Sequence, residues 1–330
     1  MREEVEILEG EAALPAILIA GPTASGKSAL ALALAERLQA VIINTDSMQV
    51  YRELRVLTAR PSVEDEELQR HALYGHVPAS CSHSVGRWLE DVRELIGSIH
   101  DEGSVPVFVG GTGLYFRALI EGLPNIPDID RQVKLFWRAR MEEEGAESLH
   151  GALMSRDPEL AGKLAKTDTQ RILRAIEVFE STKRRLSDWQ KDTRRPLLDP
   201  GHALRFFLDP PRDWLYSRIN ERFDLMLDDG VLDEVAALLA LDLDPALPAM
   251  KAHGVPHLAR ALKDMRFLPD AIEATKADIR HYAKRQKTWF RHQMPGFTEL
   301  ESNFPDYLAA GIAAEFSSRF GPAGYGMGKA

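Results

Sequence analysis

The stretch Ala16-Ile-Leu-Ile-Ala-Gly-Pro-Thr-Ala-Ser-Gly-Lys-Ser28 decides the fold class of this chain. Its first residues, Ala16–Ala20, form a short apolar run that is typical of a buried parallel strand. The next ones, Gly21–Ser28, fit the pattern G-x-x-x-x-G-K-[ST], and an Ala/Leu-rich segment predicted to be helical over Lys27–Gln39 follows. Between a strand and a helix, this pattern predicts a phosphate-binding loop (P-loop), whose backbone amides and helix N-terminus face a polyphosphate.

Strands and helices continue to alternate along the first part of the chain. Apolar runs at Ala40–Asn44 and Val105–Val109 predict two more strands, with a helix predicted between them over Ser84–His100, and a strand signal returns at Leu204–Leu208. This alternation implies right-handed crossovers and a sheet that helices cover on both faces. The predicted fold class is therefore α/β, with a P-loop NTPase-like parallel sheet and flanking helices.

The pattern changes after Pro124, where residues 131–190 are charge-rich, have helical periodicity and contain no strand signal. We therefore predict an inserted all-helical subdomain. The predicted boundaries are an acidic leader at 1–13, expected to be disordered; a core of 14–124 and 203–300; a helical insertion at 125–202; and a C-terminal extension at 301–330, Gly-rich and flexible at its end.

Composition limits the possible functions. The 330 residues include 41 Lys+Arg and 50 Asp+Glu, and the net charge of −9 excludes a uniformly basic nucleic-acid coat but not a local basic patch. Cys81 is the single cysteine, so an intramolecular disulfide is excluded. The most apolar stretch, Ala29–Ala35, is far shorter than the roughly 20 residues of a membrane span. We expect a soluble cytoplasmic protein with no membrane contact, and a monomer.

Two further turns follow predicted strands, and the carboxyl ends of parallel strands meet at one edge of a sheet. Asp46, after the second strand, is placed to act as a general base or as a Mg²⁺ neighbour, or alternatively to cap a following helix. Thr112, in the turn Gly110–Gly113, offers a hydroxyl, although this turn is equally consistent with a simple helix entry. In the P-loop, Lys27 supplies a positive charge and Ser28 a hydroxyl suited to Mg²⁺.

The local distribution of charge is compatible with RNA binding. Lys183–Arg195 contains six basic and two acidic residues, and Arg280–Arg291 contains five basic and no acidic residues. The second segment also carries Trp289 and Phe290, which suit stacking on an unpaired base. The alternative is a solvated basic helix face with a core-facing aromatic residue.

Three histidines, His71, His76 and His83, lie close together in the sequence. Because no acidic or cysteine partner accompanies them in the sequence, we interpret them as loop and core histidines rather than as a metal site.

Taken together, the three turns resemble the tRNA dimethylallyltransferases (tRNA isopentenyltransferases), whose pattern is GPTASGK[ST], then DSxQVY, then GGTxLY. In this chain the similarity covers roughly residues 16–297. The matching segments, in order, are Gly21–Ser28, Asp46–Tyr51, Gly110–Tyr115, Gln170–Val178, Leu215–Asp224, Lys251–Pro256 and Lys284–Arg291.

This resemblance implies that a dimethylallyl group passes from its diphosphate to the N6 amine of the adenosine immediately 3′ of the anticodon, in tRNAs that read U-initial codons. Diphosphate is released. Asp46 would accept the amine proton, Thr112 would lie near the reacting groups, and Arg218 would stabilise the leaving group. The expected metal is Mg²⁺ at Ser28. The residues expected to hold the prenyl diphosphate, in place of ATP, are Gly21, Pro22, Thr23, Ala24, Ser25, Gly26, Lys27, Ser28 and, as a second arginine, Arg222.

The resemblance further implies contacts with a tRNA anticodon stem-loop. The residues expected to make them are Asp46, Ser47, Met48, Gln49, Thr112, Lys134, Gln170, Arg171, Ile172, Leu173, Arg174, Lys251, Ala252, His253, Gly254, Val255, Pro256, Lys284, Arg285, Gln286, Lys287, Thr288, Trp289, Phe290 and Arg291. Four positions depart from the family: Lys134 stands where many relatives have arginine, Val255-Pro256 replaces Gly-Tyr, and Gly113 replaces a bulkier residue.

Other functions are compatible with a P-loop. An adenylate isopentenyltransferase would use the same donor with a nucleotide acceptor, but it would not need the insertion or the segment Arg280–Arg291. A kinase of small metabolites would bind ATP in the loop. A nucleotide-gated RNA-binding module would not depend on Asp46 for its function.

Overall fold

A computed structural model describes residues 15–192, 196–301 and 305–321 of the chain. The predicted acidic leader at 1–13, the last two arginines of Lys183–Arg195, and the Gly-rich stretch beyond Gly321 lie outside these described residues.

The described part of the chain forms one sheet of six strands, in the order β3-β2-β4-β1-β5-β6. Every neighbouring pair is parallel. The strands are β1 (Ala16–Ala20), β2 (Ala40–Asn44), β3 (His71–Ala72), β4 (Val105–Gly110), β5 (Ala203–Leu208) and β6 (Thr298–Leu300). The predicted α/β class with a parallel sheet is confirmed. Two edge strands, β3 and β6, were not predicted, because two and three residues are too short for a periodic apolar signal.

Helices surround the sheet and fill the region between β4 and β5. Their bounds are α1 (Lys27–Ala35), α2 (Val63–Leu68), α3 (Val85–Asp101), α4 (Gly113–Glu121), α5 (Arg131–Arg156), α6 (Pro158–Ala161), α7 (Thr169–Thr182), α8 (Leu186–Trp189), α9 (Arg212–Asp228), α10 (Val231–Leu239), α11 (Val255–Lys263), α12 (Leu268–Gln293) and α13 (Pro305–Phe320). Among the described residues, no helix combines the length and the apolar character that crossing a membrane requires.

The chain divides into two compact units. The first comprises the described residues up to Ile120 and from Leu197 onward, and the second comprises those of Glu121–Pro196. Residues 197–202, which the sequence analysis assigns to the insertion, belong to the first unit. One reason is that the backbone N–H groups of Leu197 and Leu198 donate to the carbonyl oxygen of Leu119, at 2.9 and 3.0 Å.

Among its described residues, the second unit contains helices and no strands, and it has its own core. Trp137 and Leu149 from α5 pack with Ile172 and Ile176 from α7. Helix α5 is interrupted at Gly145, which has φ of 78° and ψ of 173°. The inserted all-helical subdomain of the predicted fold class is therefore confirmed.

Helix α13 lies within the predicted C-terminal extension, yet it belongs to the core of the first unit. Ala309, Ile312 and Phe316 are buried in the same cluster as Leu30 and Leu34 of α1. The helix that follows the P-loop is thus covered by residues from near the end of the chain.

Candidate active site

The P-loop connects β1 to α1 and wraps tightly. Ala24 and Gly26 have positive φ angles of 64° and 93°, a conformation that favours glycine. Gly21 is needed for close approach, because a Cβ there would lie 2.9 Å from the Leu208 carbonyl oxygen of β5. The ammonium of Lys27 donates to the Pro22 carbonyl oxygen at 2.7 Å. The loop therefore has the curvature that a phosphate cradle requires.

A cavity of about 300 Å³ opens at this loop. Its charged lining residues are Lys27, Arg218 and Arg222 against Asp46 and Glu221, and its other polar lining residues include Thr23, Ser25 and Ser28. Burial lowers the pKa of Lys27 to about 7; nearby Asp46 opposes this shift, and Arg222 adds to it. Burial also lowers the pKa of Arg222 to about 10, with a further contribution from Arg218. Cations buried this way favour an anionic ligand, which would restore their ordinary pKa values.

The two arginines on α9 differ in position. Arg222 is half-buried, and its guanidinium donates to the hydroxyl of Thr23 in the P-loop. Arg218 is exposed, and its guanidinium lies 5.3 Å from the centre of the Trp214 ring. Both line the cavity, but Arg222 is the one that touches the loop.

Asp46 lies in a turn at the carboxyl end of β2 and does not cap a helix, since none follows it. The backbone N–H of Met48 donates to Asp46 Oδ1 at 2.9 Å, which is an Asx turn. Asn44 is fully buried and braces this turn: its Oδ1 accepts from the Asp46 N–H at 2.8 Å, and its Nδ2 donates to the Asp46 carbonyl oxygen at 3.0 Å. Trp88 in turn donates its indole N–H to the Asn44 carbonyl oxygen at 2.9 Å. Hydrogen bonds of the buried Asn44 and Trp88 thus fix the turn that carries the Asp46 carboxylate.

Thr112 lies at the carboxyl end of β4 and directly precedes α4, so the glycine turn is indeed a helix entry. Its hydroxyl also accepts from the Ser47 N–H at 3.0 Å, and its own N–H donates to the Thr45 carbonyl oxygen at 3.2 Å. A Cβ at Gly110 would lie 2.2 Å from that same carbonyl oxygen, so only glycine permits this approach. The Asp46 and Thr112 turns are therefore joined side by side.

Gln286 on α12 joins the third turn to the P-loop. Its Oε1 accepts from the Thr23 N–H at 2.9 Å, and its Nε2 donates to the Gly111 carbonyl oxygen at 2.9 Å. The residue is 5% exposed. The structure therefore places Gln286, one of the expected tRNA contacts, in the interior with both amide groups bonded.

Two smaller cavities adjoin the site. One of about 60 Å³ shares Thr23, Asp46, Thr58 and Arg222 with the first cavity, and the rest of its lining is mainly apolar. Its other lining residues include Met48, Leu57, Met226, Ala252, His253, Ile279 and Tyr282. Asp46 thus lies where the cationic cavity meets a smaller one with an apolar wall, called the apolar cavity below.

The other cavity, of about 200 Å³, lies beside Thr112 and is lined by Tyr282, Arg285 and Trp289. Burial and the nearby Asp46 raise the pKa of Tyr282, while hydrogen bonds to Thr112 and Gln286 act in the opposite direction. Its phenol therefore stays protonated at neutral pH. Tyr282 lines this cavity and the apolar one, so it separates the two spaces.

The segment Lys284–Arg291 has two faces. Gln286 and Phe290 are buried, and Phe290 packs in a cluster with Phe116, Phe207 and Phe297. Phe290 is therefore a core residue, and Trp289 is the aromatic residue of this segment that reaches the surface. The exposed positions are Lys284, Arg285, Thr288 and Arg291, while Lys287 is half-buried against Asp209 at 2.6 Å.

Gly113 allows the position of Trp289. A Cβ at residue 113 would lie 2.1 Å from the Trp289 ring. The departure from the family pattern at this residue thus makes room for the tryptophan.

The other predicted contacts in the first unit lie around the apolar cavity. Ser47, Met48 and Gln49 are half-buried, and Gln49 uses its Nε2 to donate to the carbonyl oxygens of Thr58 and Ala59 at 2.8 and 2.9 Å. In Lys251–Pro256, Lys251 and Pro256 are exposed, Ala252, Gly254 and Val255 are buried, and the His253 ring lies 4.9 Å from that of Tyr282. Pro256 stands in the first turn of α11, where proline is favourable.

In the second unit, the predicted contacts separate into core and surface. Ile172 is fully buried and Leu173 packs against the same cluster, whereas Gln170, Arg171 and Arg174 are exposed. Burial raises the pKa of Glu177, and the charges of Arg138, Arg174 and Lys134 oppose this shift. Lys134 and Arg174 thus both lie near the buried carboxylate of Glu177.

The donor set at the P-loop fits Mg²⁺, which prefers oxygen ligands. The hydroxyl of Ser28 and the carboxylate of Asp46 line the same cavity. The buried Ser25 hydroxyl beside them has no hydrogen-bond partner among the described residues, as expected of a loop that completes its bonds with a ligand.

Sequence reasoning missed three residues that build the site. Asn44 and Tyr282 were not singled out, and Gln286 was assigned to RNA and not to the joining of two turns. Asn44 ends the predicted second strand, and a buried polar residue at a strand end was the available signal. Tyr282 lies two positions before the matched segment Lys284–Arg291.

Comparisons with known proteins agree with this geometry. The family described as "IPP transferase" matches residues 49–293, and the one described as "Isopentenyl transferase" matches residues 15–74. A tRNA dimethylallyltransferase of Rhodopseudomonas palustris (strain BisB18) is 56% identical over 282 residues, covering 86% of this chain and 89% of its own length. One of Nitrobacter hamburgensis is 53% identical over 285 residues, covering 86% and 90%.

Solved structures give the same result. The full-length tRNA isopentenylpyrophosphate transferase of Bacillus halodurans superposes with a TM-score of 0.66 at 31% identity, covering 92% of this chain and 97% of its own. A eukaryotic dimethylallyltransferase, described as acting on tRNA, superposes with a TM-score of 0.77 at 26% identity, covering 93% and 80%. With a family model matching residues 49–293 and relatives more than half identical, the chain belongs to the IPP transferase family, in which these relatives are tRNA dimethylallyltransferases.

Proposed function

We propose that this protein is a tRNA dimethylallyltransferase. It transfers the dimethylallyl group of dimethylallyl diphosphate to the N6 amine of the adenosine immediately 3′ of the anticodon, in tRNAs that read U-initial codons, and releases diphosphate. The observation that carries the proposal is the position of Asp46, where the cationic cavity of the P-loop meets an apolar cavity. A prenyl diphosphate has this same polarity, with an anionic head and a short apolar tail.

The first step that the chain's residues assist is the departure of the diphosphate leaving group. Breaking the C–O bond moves negative charge onto the diphosphate. The P-loop amides, Lys27 and Arg222 stabilise that charge more strongly in the transition state than in the ground state. Arg222 is the better candidate of the two arginines because it contacts Thr23 in the loop, while Arg218 lines the cavity but is exposed. When bound at Ser28, Mg²⁺ supplies further charge neutralisation to the diphosphate.

The second step that the chain's residues assist is the attack by the acceptor, the N6 amine of adenosine. The N6 amine attacks the dimethylallyl carbon and must lose a proton, which passes to the carboxylate of Asp46. Oδ1 of Asp46 accepts from Met48, and the Asx turn fixes the orientation of the carboxylate. The adenine base approaches by the cavity beside Thr112, where Tyr282 and Trp289 offer aromatic surface for stacking.

RNA binding is proposed for exposed basic residues in each unit. In the first unit these are Lys251, Lys284, Arg285 and Arg291, and in the second they are Arg171 and Arg174. Such residues supply the phosphate contacts that position the RNA, while the stacked base supplies selectivity. Met48 and Pro256 remain proposed contacts close to the site, whereas Val255 is buried and is not proposed as one.

The test is mass spectrometry of nucleosides from bulk tRNA after incubation with dimethylallyl diphosphate and Mg²⁺. We expect N6-dimethylallyladenosine with the wild-type protein and a loss of roughly 10²–10⁴-fold in turnover with Asp46→Ala. The tRNA affinity of this variant should change little. The matched control is Asp101→Ala. Because the side chain of Asp101 is 86% exposed, this change should alter neither turnover nor tRNA affinity.

Three results would contradict the proposal. A label found on AMP and not on tRNA would indicate an adenylate isopentenyltransferase. Phosphate transfer from ATP without prenyl transfer would indicate a kinase. Loss of tRNA binding in Asp46→Ala, with turnover per bound tRNA unchanged, would make the carboxylate a positioning group.

A further inference from the structure

Outside the active site, three side chains of the kinds that bind transition metals meet at α3. His76 and His83 lie in the segment that precedes this helix, and Asp91 lies on it. Nε2 of His76 is 3.0 Å from Asp91 Oδ2, and Nε2 of His83 is 3.1 Å from the same oxygen. The two imidazole rings stand edge to face, with centroids 5.4 Å apart. The acidic partner that the sequence analysis found lacking is therefore supplied by the fold.

The third histidine of the sequence cluster is not part of this group. Nδ1 of His71 lies 2.9 Å from the Gln69 carbonyl oxygen, and its ring packs edge-on against Tyr74. The fold thus separates His71 from the other two.

His83 has an unmet bonding requirement. Its side chain is 7% exposed. Despite its distance of 3.1 Å from Asp91 Oδ2, its Nε2 has no hydrogen-bond partner among the described residues, because the angles do not suit one. A buried nitrogen without a partner costs free energy and calls for an explanation.

A metal ion would meet that requirement. In zinc sites the metal–nitrogen and metal–oxygen distances are about 2.0–2.2 Å, which puts neighbouring ligand atoms about 3.3 Å apart in a tetrahedron. The observed separations of 3.0 and 3.1 Å are close to this spacing, and the three ligand atoms all lie within 4.8 Å of one another.

We propose that His76, His83 and Asp91 bind a divalent transition metal ion of the zinc type. Two imidazole nitrogens and one carboxylate suit zinc and its neighbours, whereas Mg²⁺ prefers an all-oxygen set. The site is therefore distinct in chemistry from the one proposed at Ser28. His76 and Asp91 are each 30% exposed, which leaves an entry path and a fourth position for water.

The position of the site indicates a structural role. The segment from His76 to His83 pairs with the chain around Tyr51: the Arg52 N–H donates to the Val77 carbonyl oxygen at 2.9 Å, and the His83 N–H donates to the Tyr51 hydroxyl at 3.4 Å. Helix α3 carries Trp88, which braces the turn of Asp46. A metal ion here would fasten that segment to α3, behind the active site.

The test is a titration of the chelator-treated full-length protein with Zn²⁺ alone, in competition with a chromogenic chelator and without tRNA or diphosphate. We expect one tight equivalent in the wild type and at least about tenfold weaker binding in His83→Gln and Asp91→Asn. Co²⁺ should give a visible tetrahedral absorption that both variants lose. The control is His257→Gln, which alters a histidine–aspartate pair of 2.9 Å outside the group of His76, His83 and Asp91. This variant should bind Zn²⁺ as tightly as the wild type does.

Absence of Zn²⁺ binding in the wild type would overturn the proposal and leave only the hydrogen bond between His76 and Asp91 beside His83. Binding that persists in both variants would overturn it too, by placing the metal elsewhere. If a variant fails to fold, thermal unfolding of the wild type decides: Zn²⁺ should raise the midpoint by mass action while Mg²⁺ at the same concentration does not. An unchanged midpoint would contradict the proposal.

Discussion

Gln286 accepts a hydrogen bond from the backbone N–H of Thr23 at 2.9 Å, across 263 positions of sequence. The same side chain donates to the Gly111 carbonyl oxygen at 2.9 Å. One buried amide therefore sets the distance between the P-loop and the turn of Thr112, and it occupies one loop amide that is then not available to a phosphate.

We expect Gln286→Ala to destabilise the protein by about 2 kcal/mol, since it leaves a backbone donor and a backbone acceptor unpaired. Turnover should fall roughly tenfold to a hundredfold, because the two loops no longer hold the reacting groups in register. Denaturant unfolding and single-turnover prenyl transfer measure the two effects. Gln293→Ala, an exposed change at the end of the same helix, should alter neither, and a stable, fully active Gln286→Ala would refute this role.

Lys27 should link diphosphate binding to proton uptake. Burial lowers its pKa to about 7 from 10.5, so above pH 7 the free protein holds it largely neutral. A bound diphosphate favours the ammonium and raises the pKa, so binding takes up a proton and weakens as the pH rises above about 7. Calorimetry with inorganic diphosphate at pH 8, in buffers of different ionisation enthalpy, counts the proton.

The comparison protein is Lys27→Arg, because arginine stays charged throughout this pH range. The comparison with this variant also corrects for the protonation of the diphosphate itself, which is the same in both experiments. Equal proton uptake by the two proteins would exclude Lys27 as the titrating group.

Gly113 should not tolerate a side chain. In Gly113→Ala the new Cβ would lie 2.1 Å from the Trp289 ring, so the ring must move, at a cost of about 1–3 kcal/mol. The variant should also bind an anticodon stem-loop more weakly, in addition to being less stable. Gly97→Ala on α3 is the matched control: no atom lies within 4 Å of its new Cβ, so it should be neutral or stabilising by up to about 1 kcal/mol. Equal effects of the two substitutions would argue against the steric explanation.

Lys284 and Lys287 should behave differently, although they lie one turn apart. Lys284 is exposed, so Lys284→Ala should weaken tRNA binding and reduce the slope of log K against log salt by about 0.7–0.9, the loss of one phosphate contact. Lys287 is 2.6 Å from Asp209, which is 16% exposed. Lys287→Ala should therefore lower stability, by about 2 kcal/mol, more than it changes the salt slope. A larger change of slope for Lys287→Ala would reverse this assignment.

The sequence was most informative where local pattern and long-range structure agree. The predicted runs at Ala16–Ala20 and Ala40–Asn44 are strands with those bounds, because buried parallel strands read as continuous apolar runs. The two-residue β3 and the exposed β6 carry no such signal, since their pairing depends on neighbours far away in the chain. The role of α13 against α1 was equally invisible, because nothing local to Ala309 or Ile312 specifies which surface they cover.

Within the site, motifs identified the turns but not how they are held together. Asp46 and Thr112 follow from the pattern and the strand ends. The connections that fix them, from Asn44, Trp88 and Gln286, are side chains whose partners lie elsewhere in sequence, and a helical period cannot distinguish Gln286, which faces inward, from its exposed neighbours. Asp91 is the same case, since it completes the group of His76 and His83 from another element.

The sheet order has a consequence for synthesis of the protein. Strand β1 pairs with β4 and β5, and α1 is covered by α13. As the chain emerges from the ribosome, one edge of β1 stays open until Ala203–Leu208 appear, and one face of α1 stays exposed until α13 follows. Strand β1 and α1 thus stay partly uncovered until residues 203–208 and 305–320 have been translated, and a chaperone would have to shield them over that interval.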